Sequence, residues 1–555
     1  MTHAIRALAF IFLLAPLACI PKSWVSTSRV KTLSSAPLDR CVALRGNGTH
    51  IIGHTTSLAK ITNRWGEIQA MAGGSSATIT TFLYESILIN PAVNTLLGRQ
   101  RNGAIALLLK SVSGFADDVM NLPEGKSLIA VGTLIGRLKG ESALTLPPSE
   151  FLKSATDLQR IFANDDLREL INPEIMNALN ASNSSSPADY QARIEEVKKA
   201  ANSLVDLDAT DSDVFFRRGL INFPHLISLI SRVADFYAGY GGSQQQMAAF
   251  IDACASGTEE MTWRDLASKP TAQGTCGEHF SNMIDTWRKS KTPETKSRAA
   301  DEQGSHLRNI MITSVVTSPP AIAALRQYDA AYRQGSGPVG QDAPRQLNVN
   351  FDDISFGYWV SSSFGLDPIK VWRATANDGK STKAINLGSA RTWREILEKS
   401  PREPSLGSFT EFSEGEPMAG AISLGGWADL SPVQVLKAAG CSKVIYLTRR
   451  GTETKFISAG APFQGRRKSG LAELLGMTEA SYNELYNLAA PESAFSKALA
   501  QADGVWCTDW NRFTAFEQQG IAADGWSAPL VTRDSALSQW PEADSSGAHI
   551  EGCRQ

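Results

Sequence analysis

Apolar and polar positions along this chain fall into two periodicities, and the order in which they alternate predicts the architecture. RCVALRG (residues 40–46) reads as a short buried strand, and HTTSLAKITNRWG after it carries apolar residues at helical spacing. The pattern then repeats: EIQAMAGG reads as a strand, and SSATITTFLYESILIN as a helix with one apolar face marked by Ile79, Phe82, Leu83 and Ile87. Two successive strand–glycine–helix units predict an α/β fold with a mainly parallel sheet over residues 40–100.

From 101 to 335 the character changes. NGAIALLLKSVSGFADDVMNL, PSEFLKSATDLQRIFANDDLRELINPEIMNAL, DYQARIEEVKKAANSLVDL and GGSQQQMAAFIDACASG keep the helical period with few strand signals, which predicts a large helical insertion. NASNSSSPAD is an exposed loop within it, and GSGPVGQDAPRQ is Gly/Pro punctuation at its end. Strand patterns return over 345–460 with DISFGYWVSS, IKVWRATAN and AGAISLGGWADLSPVQVLKAAGCSKVIYLTRRG. The last reads as strand, glycine turn, a helix opened by Pro432 and closed by Gly440, and the buried strand KVIYLT. Residues 461–555 read as a C-terminal helical extension.

At about 150 residues per domain, the 555-residue chain has room for three or four units. Its composition is that of a globular protein, and a formal net charge of −2 removes nucleic acid as an expected partner. The N-terminus does change the picture. One Arg, an apolar run from Ala7 to Leu17 and small residues form the layout of a secretory signal over 1–18, too short to span a bilayer. Cys19 directly after Leu17-Ala18 is similar to a bacterial lipoprotein lipobox, with Pro16 where that motif wants Leu, so lipidation at Cys19 and ordinary cleavage are both open. Either way the chain is expected to be exported to the periplasm, tethered at the outer membrane or secreted, with 19–39 as a linker. Of the six cysteines after Cys19, Cys254 with Cys276 and Cys507 with Cys553 are the expected local pairs. Cys41 and Cys441 sit in apolar contexts and read as buried free thiols.

The glycine turns hold the candidate chemistry. Gly46, Asn47 and Gly48 directly follow a strand, where their N–H groups can gather around a developing negative charge; a structural turn is the alternative. Gly73-Gly74-Ser75-Ser76-Ala77 satisfies G-x-S-x-G with Ala77 in the last place. A serine raised on a strand-to-helix turn needs such small neighbours. Ser75 is the candidate nucleophile, Ser76 is the alternative in a frame shifted by one, and an N-capping serine pair is the plain structural reading.

Together these turns resemble the patatin-like phospholipase family: a Gly-rich oxyanion loop after the first strand, a G-x-S-x-G elbow, and a much later D-G-G or D-G-A turn that completes a Ser–Asp dyad. Gly46, Asn47, Gly48 and Gly53 match the first element without its Arg, and Gly73 to Ala77 match the second. SLGGWADLSPVQVLKAAGCSKVIYL matches the third, except that Leu424 stands where the family has its Asp. The resemblance implies a three-layer patatin-like fold, a lipid or phospholipid substrate met at a membrane surface, and hydrolysis without a metal or cofactor. Asp429, further along the same turn, either replaces the missing base or caps the helix beginning near Ser431 or Pro432. If neither Asp429 nor a histidine such as His50 or His54 serves, the chain is expected to be a catalytically impaired, lipid-binding or scaffold relative. DGKST at 378–382 lacks the upstream Gly of a P-loop, CGEHF lacks partner ligands for a metal, and Asp352-Asp353 reads as a solvated strand end, with a cation site or an acid–base pair as the alternatives.

Overall fold

The computed structural model describes residues 38–46, 51–121, 169, 222–241, 244–259, 261–289, 297–302, 310–316, 354–360, 383–388, 392–401, 410–423, 425, 432–450 and 502–509. The chain is α/β. Its first units run β1 (Cys41–Leu44), α1 (Ile51–Trp65), β2 (Ala70–Gly74), α2 (Ser76–Ile89), α3 (Pro91–Asn94) and α4 (Gly98–Asn121). Next come α5 (Phe223–Tyr237), α6 (Gln244–Cys254), α7 (Trp263–Ala267), the small β3 (Pro270–Thr271) and β4 (Gly274–Thr275), α8 (Cys276–Lys289) and α9 (Arg298–Asp301). The sheet resumes with β5 (Ile310–Val316), β6 (Ile354–Val360) and β7 (Lys383–Gly388). Then follow α10 (Trp393–Leu397), β8 (Thr410–Glu411), β9 (Ile422–Ser423), α11 (Val433–Ala438), β10 (Val444–Arg450) and β11 (Gly504–Asp509).

The strands order as β11-β10-β1-β2-β5-β6-β7. From β11 to β5 every pairing is parallel; β6 turns antiparallel to β5, and β7 runs parallel to β6. β5 also pairs antiparallel with β9 at Val315 and Val316, beyond the three residues it shares with β2. Since β6 holds the other edge of β5 along its whole length, β9 occupies the track that β2 leaves free when it ends at Gly74. Every residue of β1 and β2 is buried, so both faces of the central strands are covered, as parallel strands require.

Two segments depart from the sequence expectation. Ile310–Val316, inside the stretch read as helical insertion (101–335), is β5 and pairs directly with β2. Gly504–Asp509, inside the expected helical extension, is β11 and extends the sheet beside β10. Both are short apolar runs, and periodicity alone does not separate such a run from a turn of buried helix.

α2 differs too. It was expected to bury one face, yet Ser76 through Leu88 are all buried. Its first turns hold Thr78, Ile79, Thr80 and Thr81, poor helix formers whose stiff side chains lose freedom against the preceding turn. Burial on all sides overrides that preference: Phe82, Tyr84 and Ile87 lose essentially all contact with water, at about 1.5–3 kcal/mol for each large apolar side chain. The hydroxyls of Thr81 and Ser86 are accommodated by bonding back to the helix. Thr81 Oγ1 donates to the Ala77 carbonyl at 2.7 Å and Ser86 Oγ to that of Phe82 at 2.8 Å.

Two disulfides cross-link the chain. Cys254–Cys276 ties α6 to α8 as expected. Cys41 and Cys441, read as free thiols, are instead bonded to each other, joining the start of β1 to the chain after α11. The bridge Leu38↔Cys441 and the β1–β10 register bring these positions together, which no local spacing could reveal. Of the expected Cys507–Cys553 pair, Cys507 lies in β11 and Cys553 lies outside the described residues, as do residues 1–37 with Cys19 and the N-terminal run. No helix among the described residues is long and apolar enough to cross a membrane.

Under α5, Asp235 Oδ1 accepts from Ser297 Oγ at 3.0 Å and from the Ala299 N–H at 2.7 Å, holding the first turn of α9. Asp301 of α9 accepts from Nε and Nη2 of Arg394 of α10 through its two carboxylate oxygens. Burial pushes the Asp235 carboxyl up to about 6, against the pull of its two hydrogen bonds.

Candidate active site

β2 ends at Gly74, α2 starts at Ser76, and Ser75 alone makes the turn between them. Its backbone lies at φ 56° and ψ −132°, and it is the one non-glycine residue with positive φ among the described residues. An L-residue is held there against its own sterics, at a cost of about 1–3 kcal/mol. The packing explains how. A Cβ on Gly73 would lie 2.6 Å from the Ala77 Cβ, 3.1 Å from the Leu44 Cβ and 3.2 Å from the Leu44 carbonyl oxygen. One methyl fits between strand and helix at this point. Ala77 supplies it, which is why alanine stands in the last place of the motif while Gly73 cannot be replaced in kind.

Ser75 is 7% exposed and its hydroxyl makes no capping hydrogen bond to α2, so it is not an N-cap in the usual sense. Its carbonyl accepts from the Thr78 N–H at 3.0 Å and closes the turn. Ser76 is the first helical residue, 4% exposed, with its carbonyl accepting from Thr80 Oγ1 at 3.5 Å. The geometry of a serine raised on an elbow therefore belongs to Ser75 and not to Ser76.

Leu44 pairs with Gly73 in the parallel β1–β2 register, so the chain leaves both strands at one edge of the sheet. Arg45 and Gly46 follow β1 there, Arg45 buried and its N–H donating to the Leu447 carbonyl of β10 at 3.0 Å. Gly46 thus starts the candidate oxyanion loop beside the elbow, while Asn47, Gly48 and His50 lie outside the described residues. Gly53 falls within α1, where its carbonyl accepts from Thr56 Oγ1 at 3.2 Å and Ser57 Oγ at 2.6 Å. His54 is fully buried in α1, with Nδ1 3.4 Å from Thr80 Oγ1 on the body of α2.

Ser423 and Gly425, at the start of the third glycine turn, come to the same place. Ser423 at the end of β9 shares a hydrogen bond with Thr313 of β5 at 2.9 Å and donates to the Lys399 carbonyl at 3.0 Å. A Cβ on Gly425 would fall on the Ser400 carbonyl oxygen, so only glycine fits. Ser400 Oγ accepts from Thr78 Oγ1, in the first turn of α2, at 2.8 Å. Leu424, Gly426 and Asp429 lie outside the described residues. The N-cap position of α11 belongs to Pro432, with no side-chain cap hydrogen bond.

Sequence reasoning passed over the segment that joins these parts. Thr392-x-x-Glu395 before the apolar Trp393, Ile396 and Leu397 is a helix-start signal, and Thr392 Oγ1 does accept from the Glu395 N–H at 3.3 Å. Trp393 then donates its indole N–H to Glu85 of α2 at 3.0 Å and packs on Phe82 with ring centroids 5.2 Å apart.

The remaining candidates are structural or undescribed. In CGEHF, Cys276 is in a disulfide, Glu278 accepts from the Thr275 N–H at 2.7 Å, and His279 Nε2 lies 3.0 Å from Thr271 Oγ1. No three His, Cys, Asp or Glu side chains among the described residues are grouped to hold a metal ion. Asp352, Asp353 and the DGKST stretch lie outside the described residues. No family model, curated protein or solved structure matches this chain.

Proposed function

We propose that this chain is an exported serine acyl hydrolase of patatin-like type, with a three-layer fold, acting on lipid or phospholipid esters at a membrane surface. One observation carries the reading: a buried serine held at positive φ on a strand-to-helix turn, packed so tightly that Gly73, two residues before it, has no room for a side chain. Ser75 Oγ attacks the ester carbonyl carbon as its proton passes to a base, giving a tetrahedral oxyanion held by N–H groups around Gly46–Gly48. The oxyanion collapses to an acyl-serine and expels the alcohol, which takes the proton. Water then repeats the sequence and frees the fatty acid. Asp429 is the base in this scheme, and no metal or organic cofactor is needed. Export is supported by two disulfides, which persist in oxidising compartments.

Leu424 favours a second reading, a lipid-binding relative without turnover, because leucine cannot accept a proton. The test is fluorophosphonate labelling of the purified protein, with hydrolysis of a short-chain p-nitrophenyl ester and of phosphatidylglycerol vesicles. Labelling and turnover lost in Ser75→Ala and kept in Ser76→Ala, with turnover reduced at least about 10²-fold in Asp429→Asn, support the hydrolase. Absence of labelling with retained vesicle binding overturns it in favour of the second reading.

A further inference from the structure

Between α10 and β8 the chain makes a turn, Glu398–Pro401, whose contacts reach both halves of the candidate site. Its Ser400 is fully buried. The side-chain oxygen accepts from Thr78, three residues beyond Ser75, and the carbonyl occupies the space where Gly425 would otherwise carry a side chain. One residue earlier, the Lys399 carbonyl accepts from Ser423, whose hydroxyl also meets Thr313 on the strand beside β2. Lys399 is itself pinned, its ammonium 2.8 Å from a Glu416 carboxylate oxygen and 5.2 Å from the centre of the Phe412 ring. Trp393 anchors the same segment two turns further along α2 through Glu85 and Phe82. Thr78 and Ser400 are 322 residues apart in sequence, and this short segment spaces the elbow helix from the third glycine turn.

We infer that Ser400 is a positioning residue for the Ser75 nucleophile: through Thr78 on one side and Gly425 on the other, it sets the offset between the elbow and the third glycine turn. The inference rests on the acyl-hydrolase reading of Ser75. Ser400 touches no reacting atom. It acts because a nucleophile and the groups that serve it must be held within a fraction of an ångström, and a displacement of about 1 Å costs about 10²-fold in rate. A hydrogen bond between two buried hydroxyls supplies direction as well as spacing, which apolar packing at the same point would not.

The test compares Thr78→Val, Thr78→Ser, Ser400→Ala and the double variant Thr78→Val/Ser400→Ala with wild type and Ser75→Ala. Readouts are fluorophosphonate labelling rate, kcat and KM on a p-nitrophenyl ester, and melting temperature. Thr78→Val and Ser400→Ala are each expected to lower kcat and the labelling rate about tenfold or more with KM within about twofold, the double variant to lose no more than either single one, and Thr78→Ser to restore the rate. Wild-type kcat in Thr78→Val and Ser400→Ala, with activity abolished in Ser75→Ala, overturns the positioning role and leaves the hydrolase standing. So do losses that add in the double variant, or that follow melting temperature across the set. A wild-type protein that neither labels nor turns over removes the hydrolase reading and the positioning role with it.

Discussion

The elbow makes a stability prediction whose sign differs between adjacent residues. At Ser75 a glycine relieves backbone strain worth about 1–3 kcal/mol, because the positive-φ region carries no steric penalty without a Cβ. Against alanine, glycine forfeits about 0.4–1 kcal/mol through the larger freedom of the unfolded chain and up to about 0.8 kcal/mol for one buried carbon. Ser75→Gly is therefore expected to be more stable than Ser75→Ala by about 1 kcal/mol. At Ser76, the first residue of α2, no such strain exists, and Ser76→Gly is expected to be less stable than Ser76→Ala by about 1 kcal/mol. The contrast of about 2 kcal/mol is the quantity to read, since each comparison cancels the loss of the hydroxyl.

For a chain of this length 1 kcal/mol moves the melting temperature by only about 1 °C. Native-state hydrogen exchange over β2 and α2 is the better assay, where 1 kcal/mol is about a fivefold change in protection. Protection should rise from Ser75→Ala to Ser75→Gly and fall from Ser76→Ala to Ser76→Gly. The same sign at both positions would refute the elbow at Ser75, whatever the catalytic assays return.

Three further outcomes follow from the described packing. Gly73→Ala brings two methyl carbons to 2.6 Å and is expected to cost about 1–3 kcal/mol and most labelling of Ser75, measured by urea unfolding and fluorophosphonate. Replacing Cys41 and Cys441 by alanine opens a loop of sequence separation 400 and should cost up to about 6 kcal/mol, against about 3 kcal/mol for the Cys254–Cys276 pair with separation 22, read by urea unfolding under oxidising conditions. Asp235 has a folded pKa of about 6 above a reference of 3.8, so the folded protein holds the extra proton; its contribution is greatest below about pH 4 and falls by up to about 3 kcal/mol as pH rises through 6. Asp235→Asn should lack that decline when unfolding free energies are compared from pH 4 to 7.

The parts legible in the sequence were those whose signals are local. β1, α1, β2 and the turn at Ser75 announce themselves by a change of period around a run of small residues, and the small residues are there because strand and helix meet within one methyl of each other. The helix after Pro432 and the strand after it were legible for the same reason. What was not legible depends on distant chain. The seven residues IMITSVV become β5 because β2 and β6 flank them. Cys41 meets Cys441 because β1 lies beside β10, and α2 buries its threonines because α1, α5 and α10 surround it. Ser400 carried no signal of its own: a serine after a short helix is ordinary until Thr78 and Gly425 arrive on either side of it.

Ser75 and Leu424 pull the functional reading in opposite directions, and they do so on different energetic grounds. Leu424 stands where the proposed dyad would have its base, a role that falls to Asp429 under that proposal, and neutral packing can keep a leucine there without any catalytic purpose. Ser75 is different because its backbone conformation costs free energy in the folded state, and a glycine at that position would relieve it. The surroundings are fitted to maintain the strain: Gly73 and Ala77 leave room for one methyl, and Thr78 is held from outside the elbow by Ser400. A protein that only bound lipid would have no use for the raised hydroxyl, and the same fold with glycine at 75 would serve it with higher stability. Under the proposed function the strained serine is accounted for by the use of its hydroxyl as nucleophile, and on that ground the elbow weighs more than Leu424.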